Sequence, residues 1–481
     1  MLATILLFGI TARADVKLPS IFGNGMVLQR EQPIAVWGWA DPNERVSVKL
    51  KDQQQQVLAG TDGKWKVTLS AEPAGGPFQL EVQGNNKLTF SDVLIGEVWI
   101  CSGQSNMGWT VSRSINAEQE IATANYSKIR HVLIPRGTSG VPLDNIVEPT
   151  QWKTATPENV GDFTAVGYFY ARELYETLGV PIGLINSSWG GTRVETWTSK
   201  EALAKDRSLR KAVRAFEAVP VDSVAANKKP NAYPTLLFNA MINPLIPYTI
   251  RGVIWYQGEG NATRAYQYRK SFPIMITDWR KQWGLGDFPF YYVQLPGYKA
   301  SGGNSETGST WAELRESQDF TRSLPRVGQV ITIDIGETNS LHPLNKQDIG
   351  KRLAAIAFHD TYGYSAVFSG PIYRMHCIKG SQVIVDFDHV HGGLVTHGGT
   401  DVVGFEIAGR DKVFRSAKAI IQGNQVIVTS TEVSKPKAVR YAWADDPRIS
   451  NLFNREGFPA APFRTDKWTP ITKNVKYELG K

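Results

Sequence analysis

A serine in the turn after a buried strand becomes a nucleophile if a base can reach it. The segment Cys101-Ser-Gly-Gln-Ser-Asn-Met107 follows the apolar run Val93-Leu-Ile-Gly-Glu-Val-Trp-Ile100, which places Ser105 in such a turn. Open α/β sheets gather their ligands at the carboxyl ends of their strands. A hydroxyl is a poor nucleophile at neutral pH and needs a base within hydrogen-bond reach. The N–H groups around it must also face the oxyanion that develops during acyl transfer. The segment is not the G-x-S-x-G elbow, because position 107 is Met.

The base and the donors have candidates too. Seven histidines occur, at 131, 342, 359, 376, 389, 391 and 397. Only His342 falls in a loop of an α/β region, between a predicted strand at 330–334 and a predicted helix at 346–358. Donors for an oxyanion are the Ser105 N–H, the backbone N–H groups of Gly190-Gly191, and the Gln257 side chain at a strand end. Arg193, next after Thr192, can meet a substrate carboxylate or pair with Glu195; Glu259 and Asn261 are further candidates for substrate contact. Asp334, Glu337 and Glu259 are the acids at hand to orient the base. A Ser–His dyad held by backbone carbonyls is the alternative, and the acid is left unassigned. Asp386-x-Asp388-His389-x-His391 has the composition of a metal cluster but no metal-motif spacing. As a strand it would put both histidines on the face of Val383, Val385 and Phe387, with the two aspartates opposite.

These residues need a scaffold. Residues 1–14 hold an apolar run, Ile5–Ile10 at its centre, closed by Ala12-Arg13-Ala14, an A-x-A cleavage pattern. The expectation is export to the periplasm or the extracellular space. Residues 15–95 show short alternating runs, Ile34–Trp37, Val46–Leu50 and Phe78–Val82, separated by Gly, Asp, Asn and Pro, as in a small β-sandwich. From 96 to 361 buried-strand runs (182–185, 252–256, 290–295, 330–334) alternate with helical patterns (166–178, 201–219, the stretch ending at Trp283, 311–320, 346–358), with a loop at 220–233. That rhythm predicts a parallel sheet covered on both faces. Alternation returns at 362–448, with strands expected at 383–387, 404–407 and 425–429; the Pro- and aromatic-rich tail, 449–481, is expected to pack back on the body.

Composition narrows the function classes. The 481 residues allow about three domains at ~150 residues each. With 42% hydrophobic and 20% charged residues the chain is ordinary globular material, which excludes disorder and coiled coil for its bulk. The net charge of +8 is spread without a run of five like charges or a nucleic-acid motif. No stretch reaches the ~20 apolar residues of a membrane span. Neither nucleic acid nor membrane is expected as a partner, and nothing sets the oligomeric state. Cys101 and Cys377 fall in different segments and read as two separate buried thiols. Fourteen tryptophans suit large cores and also the flat platforms that bind sugars.

Gly103-Gln-Ser-Asn-Met107 resembles the nucleophile block of the SGNH hydrolases, in their sialate O-acetylesterase-like branch of carbohydrate acetylesterases. Asn186-Ser-Ser-Trp-Gly-Gly-Thr192 with Glu195 and Trp197 resembles the second block of that branch. Pro244-Leu245 followed by Arg251-Gly-Val-Ile-Trp-Tyr-Gln-Gly-Glu-Gly-Asn261 resembles the third, and His342-Pro343 with Asn345-Lys-Gln347 the histidine block. Ala438–Trp443, Asn451–Asn454 and Pro459-Ala460 are similar to its closing module. The resemblance implies a flavodoxin-like SGNH hydrolase domain with a parallel sheet, flanked by N- and C-terminal β-sandwich-like modules. It implies a serine mechanism with Ser105 as nucleophile and His342 as base, needing no metal or other cofactor. The implied substrate is an O-acetylated carbohydrate, sialic acid first and plant polysaccharide such as xyloglucan or xylan second. SGNH enzymes often carry Asp three residues before the histidine, where this chain has Asn339. That departure leaves room for a non-catalytic carbohydrate-binding protein. The 386–391 cluster would instead suit a metallohydrolase.

Overall fold

The computed structural model describes residues 15–220, 223 and 228–478. The expected leader at 1–14 and part of the loop expected at 220–233 lie outside the described residues.

The organising element is one long strand, β1 (Lys87–Gly103). Its first residues alternate between half-buried and exposed, and everything from Val93 onward is buried. The change marks a passage from a sheet with one wet face to the middle of a sheet covered on both sides. The early part of β1 pairs antiparallel with Gly75–Gln83, and residues 94–96 pair parallel with Val27–Gln29. Residues 97–103 pair parallel with a later strand on one side, and 99–103 with another on the other side. The division between the N-terminal β region and the α/β region at 95/96 therefore falls inside a continuous strand.

The remaining strands of the main sheet are β2 (Tyr126–Leu133), β3 (Trp152–Ala155), β4 (Ile182–Ser188), β5 (Gly252–Tyr256), β6 (Phe290–Val293) and β7 (Val327–Val330). Their order is β7-β6-β5-β1-β4-β2-β3. All neighbours are parallel except β3, which closes the edge antiparallel to β2. The chain fills the β4 side of β1 first and then crosses to the β5 side, so the end of β1 is a topological switch point.

Helices α1 (Ala165–Leu178) and α4 (Gln347–Asp360) cover one face, and α2 (Ala265–Trp283) and α3 (Thr310–Asp319) the other. Strand β5 shows how the sequence divides itself between them. Val253 and Trp255 join Phe272, Trp279 and Leu314, while Ile254 and Tyr256 join Phe169 and Leu353. This is the period-two alternation of a doubly covered strand. Helix α1 starts at Thr164, whose hydroxyl accepts the Gly167 N–H, and stops at Gly179, left-handed at φ 66°. None of the described helices is long and apolar enough to cross a membrane.

Beyond residue 371 the described residues form two four-stranded antiparallel sheets and a two-stranded one, Leu394–Thr396 with Leu452–Asn454. One four-stranded sheet contains Ile372–Lys379, Gln382–Asp388, Gln425–Thr429 and Lys418–Gln422. The other contains Phe414–Ser416, Phe405–Ala408, Ala438–Tyr441 and Phe463–Arg464. They share a core of Val385, Val426, Ile407, Tyr441 and Phe463, into which Ile331 and Ile333 also project.

The structure corrects four expectations. The strand expected at 330–334 lies at 327–330, because Ile331 and Ile333 leave the ladder to pack on the C-terminal module. The helix expected at 201–219 is two helices, Lys200–Leu203 and Arg207–Glu217, the second capped by the Asp206 carboxylate on Ser208 N. Cys377 is exposed on an edge strand, and only Cys101 is buried. His389 and His391 are not on a strand face: the ladder ends at Asp388, and both residues adopt left-handed φ, 59° and 42°. Asp386 bonds Gln425 at 2.7 Å, and both aspartates face Arg374, at 3.6 and 3.8 Å.

Candidate active site

Ser105 stands two residues past β1, in a turn closed by bonds from the Met107 and Gly108 N–H groups to Gln104 O. The Gln104 side chain is buried, and its Oε1 takes the Gly260 N–H at 3.3 Å, tying this turn to the loop after β5. His342 lies in the loop that joins β7 to α4. The two loops meet. His342 Nε2 and Ser105 Oγ are 2.7 Å apart, a hydrogen bond between a hydroxyl and an imidazole 237 residues away in the chain.

The imidazole is held by a ring rather than by an acid. Trp109 stacks on it, with centroids 4.7 Å apart and planes 20° from parallel. The Arg113 guanidinium lies 3.6 Å from the Trp109 ring centroid, and Trp109 Nε1 bonds Arg113 O at 2.8 Å. Among the described residues, no carboxylate pairs with the His342 ring. Asp334 is taken by Arg352 at 2.6 Å and Glu337 by the Leu344 N–H at 2.8 Å. Burial first, and then the positive charges of Lys346 and Arg113, hold His342 below the usual histidine range. Its neutral, basic form is thereby favoured.

The oxyanion donors divide into two sets. The backbone N–H groups of Ser105, Gly190 and Gly191 have no hydrogen-bond acceptor among the described residues. Gly190 lies against the serine: a methyl group built on it would sit 3.3 Å from Ser105 Cβ. Gly191 is in the left-handed region at φ 72°, which turns the chain back and suits glycine. The Gln257 side chain does not join them. It is fully buried, its Nε2 donates to Thr192 O (3.1 Å) and Asn261 Oδ1 (2.8 Å), and its Oε1 accepts from Tyr268. Both amide hydrogens are spent, so the expectation that Gln257 serves an oxyanion is corrected.

Two of the candidate substrate contacts are likewise turned inward. Asn261 is buried, accepts from Val194 N and Gln257, and donates to Glu195. Glu259 accepts from Asn106 Nδ2 at 2.7 Å, and its other oxygen is buried. Arg193 is half-buried, its guanidinium 5.8 Å from the Tyr477 ring centroid. Glu195 pairs with Arg264 at 2.7 Å instead, and Arg193 makes no ion pair among the described residues. Sequence reasoning missed Trp109, Arg113, Asn106 and Lys346. Asn106 and Lys346 lie inside the quoted motifs, but a carboxamide and an amine carry no signal of mutual contact until the loops meet.

The arrangement matches known proteins over most of its length. Residues 95–359 match the family model described as carbohydrate esterase, sialic acid-specific acetylesterase. The sialate O-acetylesterase of Homo sapiens is 35% identical over 400 residues, spanning 75% of this chain and 74% of that one. That of Mus musculus is 33% identical over 416 residues, spanning 75% and 76%. The crystal structure of a carbohydrate acetylesterase from Xanthomonas citri superposes with a TM-score of 0.87 at 42% identity, covering 94% of this chain and all of that one. The chain therefore belongs to the sialic acid-specific acetylesterase family of carbohydrate esterases, and it is a carboxylic ester hydrolase.

Proposed function

We propose that the protein removes O-acetyl groups from sialic acids by a serine mechanism. The observation that carries the proposal is the 2.7 Å contact between Ser105 Oγ and His342 Nε2 at the switch point of the sheet. Ser105 Oγ attacks the acetyl carbonyl carbon while His342 takes its proton. The oxyanion sits against the N–H groups of Ser105, Gly190 and Gly191, each worth roughly 3 kcal/mol in such a site. Collapse breaks the bond to the sugar oxygen, to which His342 returns the proton, leaving acetyl-Ser105 and a free sugar hydroxyl. Water, deprotonated by His342, then attacks the acetyl carbon; the bond from that carbon to Ser105 Oγ breaks, His342 returns the proton to Oγ, and acetate leaves. Stacking on Trp109 keeps the imidazole aligned through both halves.

Two features support an anionic sugar. Arg113 is exposed and has no ion pair among the described residues, one indole away from the base. Arg193, beside the glycine pair, is also without an ion pair among them. A guanidinium suits carboxylate recognition by paired hydrogen bonds. The second reading is an acetyl ester on plant polysaccharide such as xyloglucan or xylan. Its support is the match over 94% of the chain to a protein described only as a carbohydrate acetylesterase.

Acetate release from O-acetylated sialic acid and from acetylated xyloglucan, at equal enzyme, separates the two, with Ser105→Ala as the control. Faster release from the sialic acid, lost in Ser105→Ala, is expected. Release only from xyloglucan would overturn the substrate, and undiminished release by Ser105→Ala would overturn the mechanism.

A further inference from the structure

We infer that the Asn106 carboxamide, held from behind by Lys346, is the strut that sets the distance between the Ser105 alcohol and the His342 imidazole. It is a positioning group and does not touch the reacting atoms; the inference rests on the serine mechanism proposed above.

Three bonds define the strut. Lys346 Nζ donates to Asn106 Oδ1 at 2.7 Å, and Asn106 Nδ2 donates to Glu259 Oε1 at 2.7 Å and to Leu341 O at 3.0 Å. The chemistry fixes the orientation of the amide. A backbone carbonyl only accepts, so the atom facing Leu341 O is the amide nitrogen and the oxygen is left to face Lys346. Asn106 follows the nucleophile in the chain, and Leu341 precedes the base. The 3.0 Å bond to Leu341 O therefore joins the two loops one residue away from each reacting side chain. No covalent or ladder connection does this, since Ser105 follows β1 and His342 lies in the loop after β7.

Asn106 and Lys346 are both fully buried. Lys346 lies between the rings of Trp109 and Tyr256, at 5.8 and 5.4 Å from their centroids. Burial pushes it down to about 7, against the pull of Glu259 and Glu337. A lysine kept there at that cost, with its hydrogen bond spent on one carboxamide, serves to lock that carboxamide. Orientation errors of an ångström at such a site can cost on the order of 100-fold in rate.

The test uses p-nitrophenyl acetate for kcat and KM, and a fluorophosphonate for the rate of serine labelling. In Asn106→Ala, kcat and the labelling rate are expected to fall together by about 10- to 100-fold, with KM within about twofold. Lys346→Met is expected to lose about tenfold in kcat. Lys346→Gln can still donate to Oδ1, and it is expected to recover most of that loss. A folded Asn106→Ala with wild-type kcat overturns the inference. If Asn106→Ala does not fold, the lysine pair decides: equal kcat in Lys346→Met and Lys346→Gln overturns it, and recovery in the glutamine variant supports it. Failure of the underlying mechanism shows separately, as labelling and turnover that survive Ser105→Ala whatever Asn106 does.

Discussion

The Trp109 indole lies face to face with the His342 imidazole, 4.7 Å from centroid to centroid. In a triad the carboxylate fixes the ring and stabilises the imidazolium. Here the ring is fixed by a π-surface that is itself capped by Arg113. Trp109→Leu is therefore expected to lower kcat about 10- to 100-fold with little change in KM, because the base loses its alignment and not its substrate. Trp109→Phe keeps an aromatic face and should stay within about threefold. Equal kcat for wild type and Trp109→Leu would remove the stack from the mechanism.

The acid limb of the pH profile should report the same surroundings. The reaction needs neutral His342, so the rate rises as pH passes upward through its pKa. Burial, Lys346 and Arg113 all lower that pKa, which places the limb below the ordinary histidine value of about 6.5. Removing one cation raises it, so Arg113→Gln should move the limb in kcat/KM for neutral p-nitrophenyl acetate to higher pH. Arg113 is exposed, and salt screens exposed charges. The displacement should therefore be larger at low ionic strength than at high. A limb that moves to lower pH in the variant would contradict this account.

The sequence disclosed the parts whose signal is local. Gly252–Tyr256 and Gln425–Thr429 are strands with the expected ends, since uninterrupted β-branched and aromatic runs leave little choice. The strand expected at 330–334 lies earlier, at 327–330. Ile331 and Ile333 read as strand residues, but their burial comes from a module whose first strand begins at Ile372. Gln257 shows the same limit within the site. Its place at a strand end fitted an oxyanion donor, and only the folded loop reveals that Thr192 O and Asn261 consume both hydrogens. Contacts between distant segments, such as Trp109 with His342, leave no periodicity to read.

Gly190 tests the oxyanion pocket without touching charge. Its backbone does not need the left-handed region, so alanine is tolerated by the chain itself. The added methyl would lie 3.3 Å from Ser105 Cβ, closer than side chains normally sit, against a turn pinned by Gln104. Gly190→Ala is expected to keep its thermal midpoint within a few degrees while kcat drops about 100- to 1,000-fold, the scale of losing one oxyanion donor. Circular dichroism melts alongside turnover measurements check it. A variant with wild-type kcat would place the oxyanion elsewhere.

Behind this pocket, Glu195 holds the loop that carries Gly190 and Gly191. It is 1% exposed and takes hydrogen bonds from Arg264 at 2.7 Å and Asn261 at 3.0 Å. Burial alone would raise its pKa, but Arg264 and the bonds to both carboxylate oxygens outweigh that and leave it below the usual glutamate range. A carboxylate lowered on folding contributes its full stabilisation above its unfolded value of about 4.3. The contribution is lost as pH falls through the folded value. Glu195→Gln leaves a buried guanidinium without its counter-charge, which costs roughly 3–5 kcal/mol. Urea unfolding of both proteins should show that gap at pH 7 and show it closing as the solution is acidified past about pH 4. Closure begins near the unfolded value and is complete only below the folded value, where the wild-type glutamate is neutral as well. A gap that stays constant across that range would mean that Glu195 acts through packing rather than through charge.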